Sequence, residues 1–325
     1  MNSHPEYGFQ DHLSAEFPSQ IVVDVTERCN LACIHCPHEA FTQSEVYAGR
    51  HLSLELNRKL VDEIATDGKG YCQYLRYTAQ GEPLLNPHFI EMVQYAGKYA
   101  GVALNVTSNG KALTPEKASA LLDAGVGTFD ISIDAYSPEV YAQIRKKGNL
   151  VETKPNILNL IKARDQGGYQ AKVVVSYIEQ PLNQGETELF ESYWKEVGAD
   201  FVVIRRLHSC AGAKPDIAEQ MKQNSAPRKP CLYPWERLVL SPTGDVAFCP
   251  AEWRYEAKII SFAEQSIQEI WKGPFMQSLR KAHLENQFAD HPYCGNCPDW
   301  MATRWPWEGR AYADMMRDFA NQTKS

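Results

Sequence analysis

The segment CNLACIHC at residues 29–36 constrains this chain more than any other feature, because it holds three of the nine cysteines. Cys29, Cys33 and Cys36 come directly after the β-branched run IVVDVT (21–26), which predicts a buried strand. In α/β sheets, ligands bind at the edge formed by the carboxyl ends of the strands. Three cysteines in one loop at such an edge indicate a metal or cluster site.

A C-x3-C-x2-C loop can place three thiolates around one [4Fe–4S] cluster and leave the fourth iron open, without a protein ligand. His35 and His38 leave zinc as an alternative, although zinc sites usually combine two C-x2-C units or Cys and His pairs. Three unrelated loop cysteines are a further alternative, but so dense a group is improbable for nine cysteines in 325 residues.

The composition is that of an ordinary soluble protein, and the net charge of −7 argues against a non-specific nucleic-acid binder. The sequence contains no apolar run of about 18 residues, and its first residues lack the features of a secretory signal. We therefore expect a cytoplasmic protein without nucleic-acid or membrane partners. In a reducing compartment, clustered cysteines are more often metal ligands than disulfides.

Short β-branched runs alternate with amphipathic helical patterns up to residue 207. The predicted strands are residues 21–26, 74–79, 103–109, 128–134, 172–179 and 200–207. The helix between the third and fourth strands begins at Thr114 and Pro115 and ends at Gly125. Six parallel βαβ units fit an open doubly wound sheet or a partial barrel, and periodicity does not choose between them.

The pattern changes near residue 210, where a polar segment with prolines replaces the alternation. The following sequence RLVLSPTGDVAFCP (237–250) predicts a β-hairpin that turns at Thr243–Asp245. We expect an N-terminal extension (1–20), an α/β unit (21–210) and a smaller C-terminal domain with a final helix (211–325).

A second cysteine group lies in this C-terminal part and consists of Cys231, Cys249, Cys294 and Cys297. Four thiolates can saturate every iron of a [4Fe–4S] cluster, which then serves electron transfer or structure. The same four ligands fit a tetrahedral zinc site, which the residues alone slightly favour.

The sequence VTERCNLACIHCPHE (25–39) resembles the cluster loop of radical S-adenosylmethionine (SAM) enzymes. The resemblance implies a partial (β/α)6 TIM-like barrel over residues 21–210. It also implies that SAM binds the open iron and is cleaved by one electron to a 5′-deoxyadenosyl radical, which takes a hydrogen atom from substrate. A flavodoxin or ferredoxin is the implied electron donor.

Residues that end the later strands resemble the SAM contacts of this family. They are Gly81, Glu82, Ser108, Ser132, Asp134 and Arg145. Gly81 and Glu82 belong to AQGEPLLNP, in which Gln80 replaces the first glycine of the family's Gly-Gly-Glu, and the carboxylate would meet the SAM ammonium. Ser132 and Asp134 would bind ribose hydroxyls, and Arg145 would pair with the SAM carboxylate. A solvated charge on a helix is the alternative for Arg145.

Three C-terminal segments resemble the SPASM/Twitch extension of radical SAM enzymes: LSPTGDVAFCP, SIQEIWKGPFMQSLRKAH and YCGNCPDW. This resemblance reverses the preference for zinc and implies an auxiliary [4Fe–4S] cluster on the second cysteine group. A full SPASM domain has seven cysteines and two auxiliary clusters, whereas four cysteines imply one.

The remaining cysteines are Cys72 and Cys210. Cys72 precedes the second strand and is predicted to be a buried small hydrophobe. Cys210 follows the sixth strand, and we expect it on the rim of the barrel mouth, near the substrate rather than near a cluster. Its thiol is a candidate hydrogen-atom donor to a substrate radical, with an inert loop cysteine as the alternative.

The resemblance therefore implies a radical SAM oxidoreductase or epimerase that acts on an unactivated C–H bond of a sugar or cyclitol-type natural-product intermediate. In a dehydrogenation the auxiliary cluster would accept an electron, and in an epimerisation Cys210 would quench the radical. The alternative substrate is a ribosomal peptide, epimerised or cross-linked. The segment before the first strand is short for a peptide-recognition winged helix, which favours a small molecule. A structural zinc protein is the remote alternative.

Overall fold

A computed structural model of the chain describes residues 13–78, 80–223, 227–251 and 258–302. The strands are β1 (Gln20–Val23), β2 (Ala32–Cys33), β3 (Tyr74–Tyr77), β4 (Ala103–Ser108), β5 (Val126–Ser132), β6 (Arg145–Lys146), β7 (Lys172–Glu179), β8 (Phe201–Arg206), β9 (Arg237–Leu240), β10 (Asp245–Ala247) and β11 (Lys258–Ser261). Each of the six predicted strands overlaps a strand of this set.

Helices connect and cover these strands. They are α1 (His38–Thr42), α2 (Leu54–Thr66), α3 (Phe89–Tyr99), α4 (Pro115–Asp123), α5 (Pro138–Ile144), α6 (Leu150–Gly167), α7 (Thr187–Glu196), α8 (Pro215–Gln223), α9 (Tyr233–Glu236), α10 (Ile267–Lys272), α11 (Pro274–Glu285) and α12 (Pro292–Asn296). Short 3₁₀ turns are formed by Pro83–Leu85, Gln184–Glu186 and Asp299–Ala302. In the described part of the chain, no helix is both long and apolar enough to cross a membrane.

The helix boundaries follow from local sequence. Thr114 accepts a hydrogen bond from the Lys117 amide at the start of α4, and Pro115 occupies the first helical turn, as predicted. Gly125 follows the helix with a φ of +82°, a left-handed conformation in which a side chain would be strained. The chain therefore turns sharply from α4 into β5.

Six parallel strands lie side by side in chain order, β1-β3-β4-β5-β7-β8. A doubly wound sheet would instead reverse its strand order at a switch point. The continuous order confirms the partial (β/α)6 barrel, and it brings the carboxyl ends of all six strands to one edge.

The C-terminal hairpin extends this same sheet. β9 pairs in parallel with β1, and β10 and β11 follow in antiparallel order. The turn forms where predicted, with the Ser241 amide 2.9 Å from the Asp245 carbonyl oxygen and Gly244 at a φ of +82°. The sheet thus runs across the expected boundary at residue 210. The expected C-terminal helix and residues 1–12 of the expected extension lie outside the described residues.

The two faces of the parallel sheet differ in chemistry. The helix-facing side chains of neighbouring strands, such as Leu75, Phe129 and Val175, are fully buried in one large apolar core. The alternate positions face the interior of the partial barrel and include Arg76 and Asp130. The interior face therefore carries charged residues beside a small apolar cluster that includes Tyr74 and Val174, whereas the helix-facing side is apolar.

We expect Leu238→Ala on β9 to lower the free energy of unfolding by about 2–5 kcal/mol, because Leu238 is fully buried in the core shared with the barrel. Chemical denaturation measures this loss. Leu189→Ala is the control, because Leu189 is 56% exposed and its replacement should change the free energy of unfolding by about 0.5 kcal/mol or less. Tryptophan fluorescence and circular dichroism should follow one transition. Two separate transitions would contradict the continuity of the sheet.

Candidate cluster and cofactor site

Backbone hydrogen bonds to β6 fix the conformation of the loop after β1, which carries Cys29, Cys33 and Cys36. β2 pairs with β6, which sets Cys33 opposite Arg145, and the Ile34 amide donates to the Ile144 carbonyl at 2.9 Å. A tight turn joins the Cys36 amide to the Cys33 carbonyl at 3.1 Å. The predicted loop therefore forms at the carboxyl edge of the sheet, as the sequence indicated.

The thiols of this loop are largely removed from water and interact electrostatically with one another. Burial raises the pKa of Cys29 to about 12 and raises the pKa values of Cys33 and Cys36 as well. Such thiols ionise when a cation shares their site. Three soft thiolates in one loop fit iron–sulfur chemistry or zinc, so the donor set suits the group that the sequence implies.

The two histidines of the loop do not face the thiols. The His38 ring Nε2 lies 2.7 Å from the Glu27 carbonyl oxygen, and the His35 ring lies between Gln180 and Asp134. Burial lowers the pKa of His35 to about 4, although Asp134 opposes this shift, so the ring is neutral at pH 7. Both histidines of the zinc alternative are thereby engaged elsewhere.

Within the described residues, no three His, Cys, Asp or Glu side chains converge closely enough to hold a single metal ion. A [4Fe–4S] cluster sets a different requirement, because each thiolate binds its own iron at a different corner of the cube.

Gly81 allows the loop after β3 to pack against the start of the cysteine loop. A Cβ at this position would lie 2.0 Å from the Thr26 carbonyl oxygen and 2.7 Å from that of Arg28. The next amide, of Glu82, donates to the same Arg28 oxygen at 2.8 Å. Glycine is therefore required here for backbone approach, and its expected contact with SAM stays a prediction.

Glu82 joins the ends of β3 and β4. Its side chain, only 2% exposed, accepts hydrogen bonds from the Ser108 hydroxyl at 2.8 Å and the Asn109 amide at 2.8 Å, and from the Leu84 amide at 3.2 Å. Burial raises the pKa of Glu82 even against these donors. A carboxylate offers about four lone-pair sites, so the structure leaves room for one further donor such as an ammonium group.

Asn109 belongs to the site although the sequence did not single it out. Its side-chain amide donates to the Asn30 side-chain oxygen at 2.8 Å and lies 3.9 Å from the Cys29 sulfur. The signal was its position next to Ser108 at the end of a predicted strand. Asn109 links that strand end to the cysteine loop.

Asp134 and Arg145 form a buried ion pair beside Cys33. One Asp134 oxygen accepts from Arg145 Nε at 2.9 Å and Nη2 at 2.6 Å, and the other accepts from the Ile178 amide at 2.7 Å. Arg145 is only 5% exposed, so the alternative of a solvated helix charge was wrong. Burial opposes its charge, but Asp134 and Cys33 outweigh burial and raise the pKa of Arg145.

The expected roles of these two residues toward SAM stay predictions, because in this structure each is the other's partner. Ser132, also expected near the ribose, lies half-buried at the end of β5, two residues before Asp134. The structure therefore brings the strand-end residues to the edge where the cysteine loop lies.

The four cysteines of the second group, Cys231, Cys249, Cys294 and Cys297, also lie near enough to one another to interact electrostatically. Burial raises the pKa of Cys297 to about 12. Arg228 lies beside them and donates to the Cys294 carbonyl oxygen at 2.6 Å and the Gly295 oxygen at 3.1 Å. Four thiols with an adjacent guanidinium suit an anionic iron–sulfur site.

Cys210 lies against the first cysteine loop. Its sulfur is 3.8 Å from the His35 carbonyl oxygen and interacts electrostatically with Cys36, and the residue is only 5% exposed. The expectation that Cys210 stands away from any cluster site was therefore wrong, because the loop after β8 folds back over the strand ends. Cys72 is buried in the apolar core, as predicted.

Two family models match the chain. Residues 23–178 match the radical SAM superfamily, and residues 231–298 match SPASM, an iron–sulfur cluster-binding domain. The first match includes the loop with Cys29, Cys33 and Cys36, and the second begins at Cys231 and includes Cys297. They confirm the resemblance seen in the cysteine segments and leave the zinc alternative without support.

Solved structures share this fold at low sequence identity. BtrN in complex with AdoMet and 2-DOIA matches with a TM-score of 0.58 and 19% identity over 86% of this chain and 92% of that chain. Streptococcus suis SuiB bound to precursor peptide SuiA matches with a TM-score of 0.62 and 11% identity, over 82% of this chain and 67% of that chain. These likenesses establish the fold alone.

Among curated proteins, the mycofactocin maturase MftC of Mycobacterium ulcerans (strain Agy99) is 28% identical over 236 residues, which are 71% of this chain and 58% of that protein. The chain spans between 34% and 58% of the lengths of such curated relatives.

Replacing Cys29, Cys33 and Cys36 by alanine should reduce the iron of anaerobically reconstituted protein from about eight to about four per chain. The three thiols are the proposed ligands of one cluster, and the second cysteine group is left intact. Iron and sulfide assays measure the change, and Cys72→Ala is the control with unchanged iron. Full iron content in the triple variant would contradict the assignment.

Glu82→Gln should weaken SAM binding about tenfold or more with iron content unchanged, because a charge-assisted hydrogen bond contributes about 1.5–3 kcal/mol. Equilibrium dialysis of reconstituted protein measures the affinity. Glu91→Gln, at a glutamate whose side chain is 49% exposed, is the matched control and should leave the affinity unchanged. Equal affinities of wild type and Glu82→Gln would limit Glu82 to holding the strand ends together.

Proposed function

Because the chain belongs to the radical SAM superfamily and carries a SPASM domain, we propose that it epimerises or dehydrogenates a polar small molecule of the sugar or cyclitol type at an unactivated C–H bond. The proposal of a polar small-molecule substrate rests on the charged residues in the interior of the partial barrel. The family assignment carries the radical chemistry.

Seven cysteines would hold the two clusters that the matched domains imply. Cys29, Cys33 and Cys36 are the proposed ligands of the first cluster, and Cys231, Cys249, Cys294 and Cys297 those of the second. When bound, the first cluster and SAM supply a 5′-deoxyadenosyl radical that takes a hydrogen atom from a substrate C–H bond. Glu82 and Arg145 would orient the amino and carboxylate groups of SAM.

The interior face of the barrel carries a charged cluster formed by Arg76, Asp130 and Arg205. Asp130 is fully buried and accepts from Arg205 Nη2 at 2.7 Å and from Arg76 Nη2 at 3.2 Å, and Arg76 also donates to the Thr107 hydroxyl at 3.0 Å. The Arg205 side chain is 29% exposed. Guanidinium and hydroxyl groups on the interior face of the barrel suit a ligand rich in hydroxyl or amino groups better than an apolar one.

Cys210 is the proposed hydrogen-atom donor in an epimerisation. Its position beside Cys36 puts the thiol close to the proposed site of radical formation. The S–H hydrogen atom would pass to the substrate carbon radical and form a C–H bond of inverted configuration, leaving a thiyl radical. One electron from a flavodoxin or ferredoxin and one solvent proton would restore the thiol.

Dehydrogenation is the competing outcome at the same site. The substrate radical would lose one electron to an acceptor and one proton to solvent, which converts an alcohol carbon to a ketone. Cys210 would have no part in this reaction. Its buried thiol would then serve only to fill space between the loop after β8 and the cysteine loop.

Modification of a peptide is the second candidate function, by epimerisation or cross-linking. It is favoured by the likeness to SuiB, whose structure holds a precursor peptide, and by the extent of the match to MftC. A peptide would bind at the same edge of the barrel, so the charged interior would contact one side chain rather than a whole substrate.

None of the nine cysteines, all of which lie among the described residues, forms a disulfide, which is consistent with our proposal of a reducing, cytoplasmic location where a flavodoxin or ferredoxin is the electron donor.

The reaction type can be tested with Cys210→Ala in deuterium oxide, using a panel of aminocyclitols and a peptide pool as substrates. If the enzyme is an epimerase, the wild type should add one solvent deuterium at the inverted carbon, because thiol protons exchange. Cys210→Ala should still form 5′-deoxyadenosine but give little inverted product. Mass spectrometry and NMR measure both.

Cys72→Ala is the control, because it removes a buried thiol far from the site. Full ketone formation by Cys210→Ala would establish dehydrogenation and remove the donor role. Deuterium incorporation into a peptide alone would overturn the small-molecule proposal. Absence of 5′-deoxyadenosine from reconstituted wild type with dithionite and any of these substrates would overturn the proposed function.

A further inference from the structure

Asp299 connects the second cysteine group to the loop that carries Cys210. It follows Cys297 by two residues, and its carboxylate accepts three hydrogen bonds from that loop, 88–90 residues away in the chain. Oδ1 accepts from the Ser209 amide at 2.8 Å and the Ser209 hydroxyl at 2.7 Å, and Oδ2 accepts from the Ala211 amide at 2.5 Å.

The loop 209–212 has a strained backbone, which is held by its own turn hydrogen bonds and by Asp299. Cys210 and Ala211 have φ values of +51° and +55°, and Gly212 follows at +95°. Residues with a Cβ adopt the left-handed region at a cost in free energy, and consecutive residues rarely do so. The Asp299 carboxylate accepts from the amides on either side of Cys210, those of Ser209 and Ala211, whereas the Cys210 amide donates to His208 Nδ1 at 3.1 Å.

Each end of this connection is tied to one cysteine group. At one end, the Cys297 amide donates to the Cys294 carbonyl oxygen at 3.2 Å, so Asp299 leaves directly from the C-x2-C turn. At the other end, the Cys210 sulfur lies 3.8 Å from the His35 carbonyl oxygen in the first cysteine loop. One covalent and hydrogen-bonded path between the two groups therefore runs through the Asp299 carboxylate.

We propose that Asp299 is a positioning residue that transmits the state of the second cysteine group to Cys210. When the second group holds its cluster, the C-x2-C turn is rigid and Asp299 keeps the loop 209–212 in its left-handed conformation, with the Cys210 thiol against the first loop. When the second group holds no cluster, the hydrogen bonds between Asp299 and the loop 209–212 (hereafter the brace) weaken, and Cys210 loses its fixed position. This inference rests on the proposed function, because it assumes a cluster at the second group.

The protection of the Cys210 thiol reports this coupling without any enzymatic turnover. In the loaded protein, the seven cluster cysteines are ligands and Cys72 is buried, so iodoacetamide labelling followed by peptide mass spectrometry reads Cys210. We expect Asp299→Asn to raise the labelling rate about tenfold or more, because an amide replaces an ionic acceptor of three hydrogen bonds. Asp290→Asn, an exposed aspartate four residues before Cys294, is the matched control with an unchanged rate.

Emptying the second group supplies the decisive comparison. Cys249→Ala should remove about four of eight irons and raise Cys210 labelling about as much as Asp299→Asn does. The double variant should show no further increase, because both changes act through one brace. Cys297→Ala is a second way to empty the group, and circular dichroism verifies that each variant is folded.

Three results would overturn the proposal, and iron content separates them. Unchanged labelling in Asp299→Asn would mean that Asp299 does not hold the loop. Labelling that rises in Asp299→Asn but not in Cys249→Ala, with iron reduced as expected, would make the brace independent of the second cluster. A wild-type content of about four irons would overturn the second cluster of the proposed function, and the coupling with it.

Discussion

The buried ion pair of Asp134 and Arg145 holds the cysteine loop to the carboxyl edge of the sheet. Asp134 lies two residues after β5 and accepts a hydrogen bond from the Ile178 amide of β7. Arg145 belongs to β6, where it lies opposite Cys33 of β2. Removing one partner of such a pair leaves an uncompensated buried charge, which costs about 3–5 kcal/mol. The geometry of the first cysteine group, and of the SAM contacts proposed around it, therefore depends on both charges being present.

The local features of this fold were predictable because they depend on residues close together in the chain. The cysteine spacing, the six β-branched runs, the cap at Thr114 and the turn at Gly244 are all of this kind. The pairing of β9 with β1 was not, since nothing in either run specifies a neighbour 217 residues away. The order of parallel strands came from the resemblance rather than from periodicity, which fits both arrangements equally.

The sequence predicted the cysteine ligands of the candidate site, but it did not predict the polar residues that hold those ligands in position. The cysteines and strand-end residues were found because their types and positions are distinctive, whereas Asn109 and Asp299 are ordinary polar residues whose importance lies in distant partners. Arg145 illustrates the same limit, because its helical pattern is compatible with exposure and only the fold brings Asp134 to it. Residue types and their spacing in the sequence identify candidate ligands, but the partner of a buried charge is known only from the tertiary structure.

The conformation around Cys210 bears on what that residue does. A cysteine that only fills space can do so with an ordinary backbone conformation. The left-handed conformations of Cys210 and Ala211 each cost free energy, which packing alone does not explain. Hydrogen-atom transfer, in contrast, requires donor and acceptor within about 3–3.5 Å and in alignment, so that small displacements greatly reduce the rate. A strained loop bonded to the Asp299 carboxylate can fix the position of the Cys210 thiol, which is what a hydrogen-atom donor would need. The strain is therefore consistent with the donor role that we propose for Cys210 in an epimerisation.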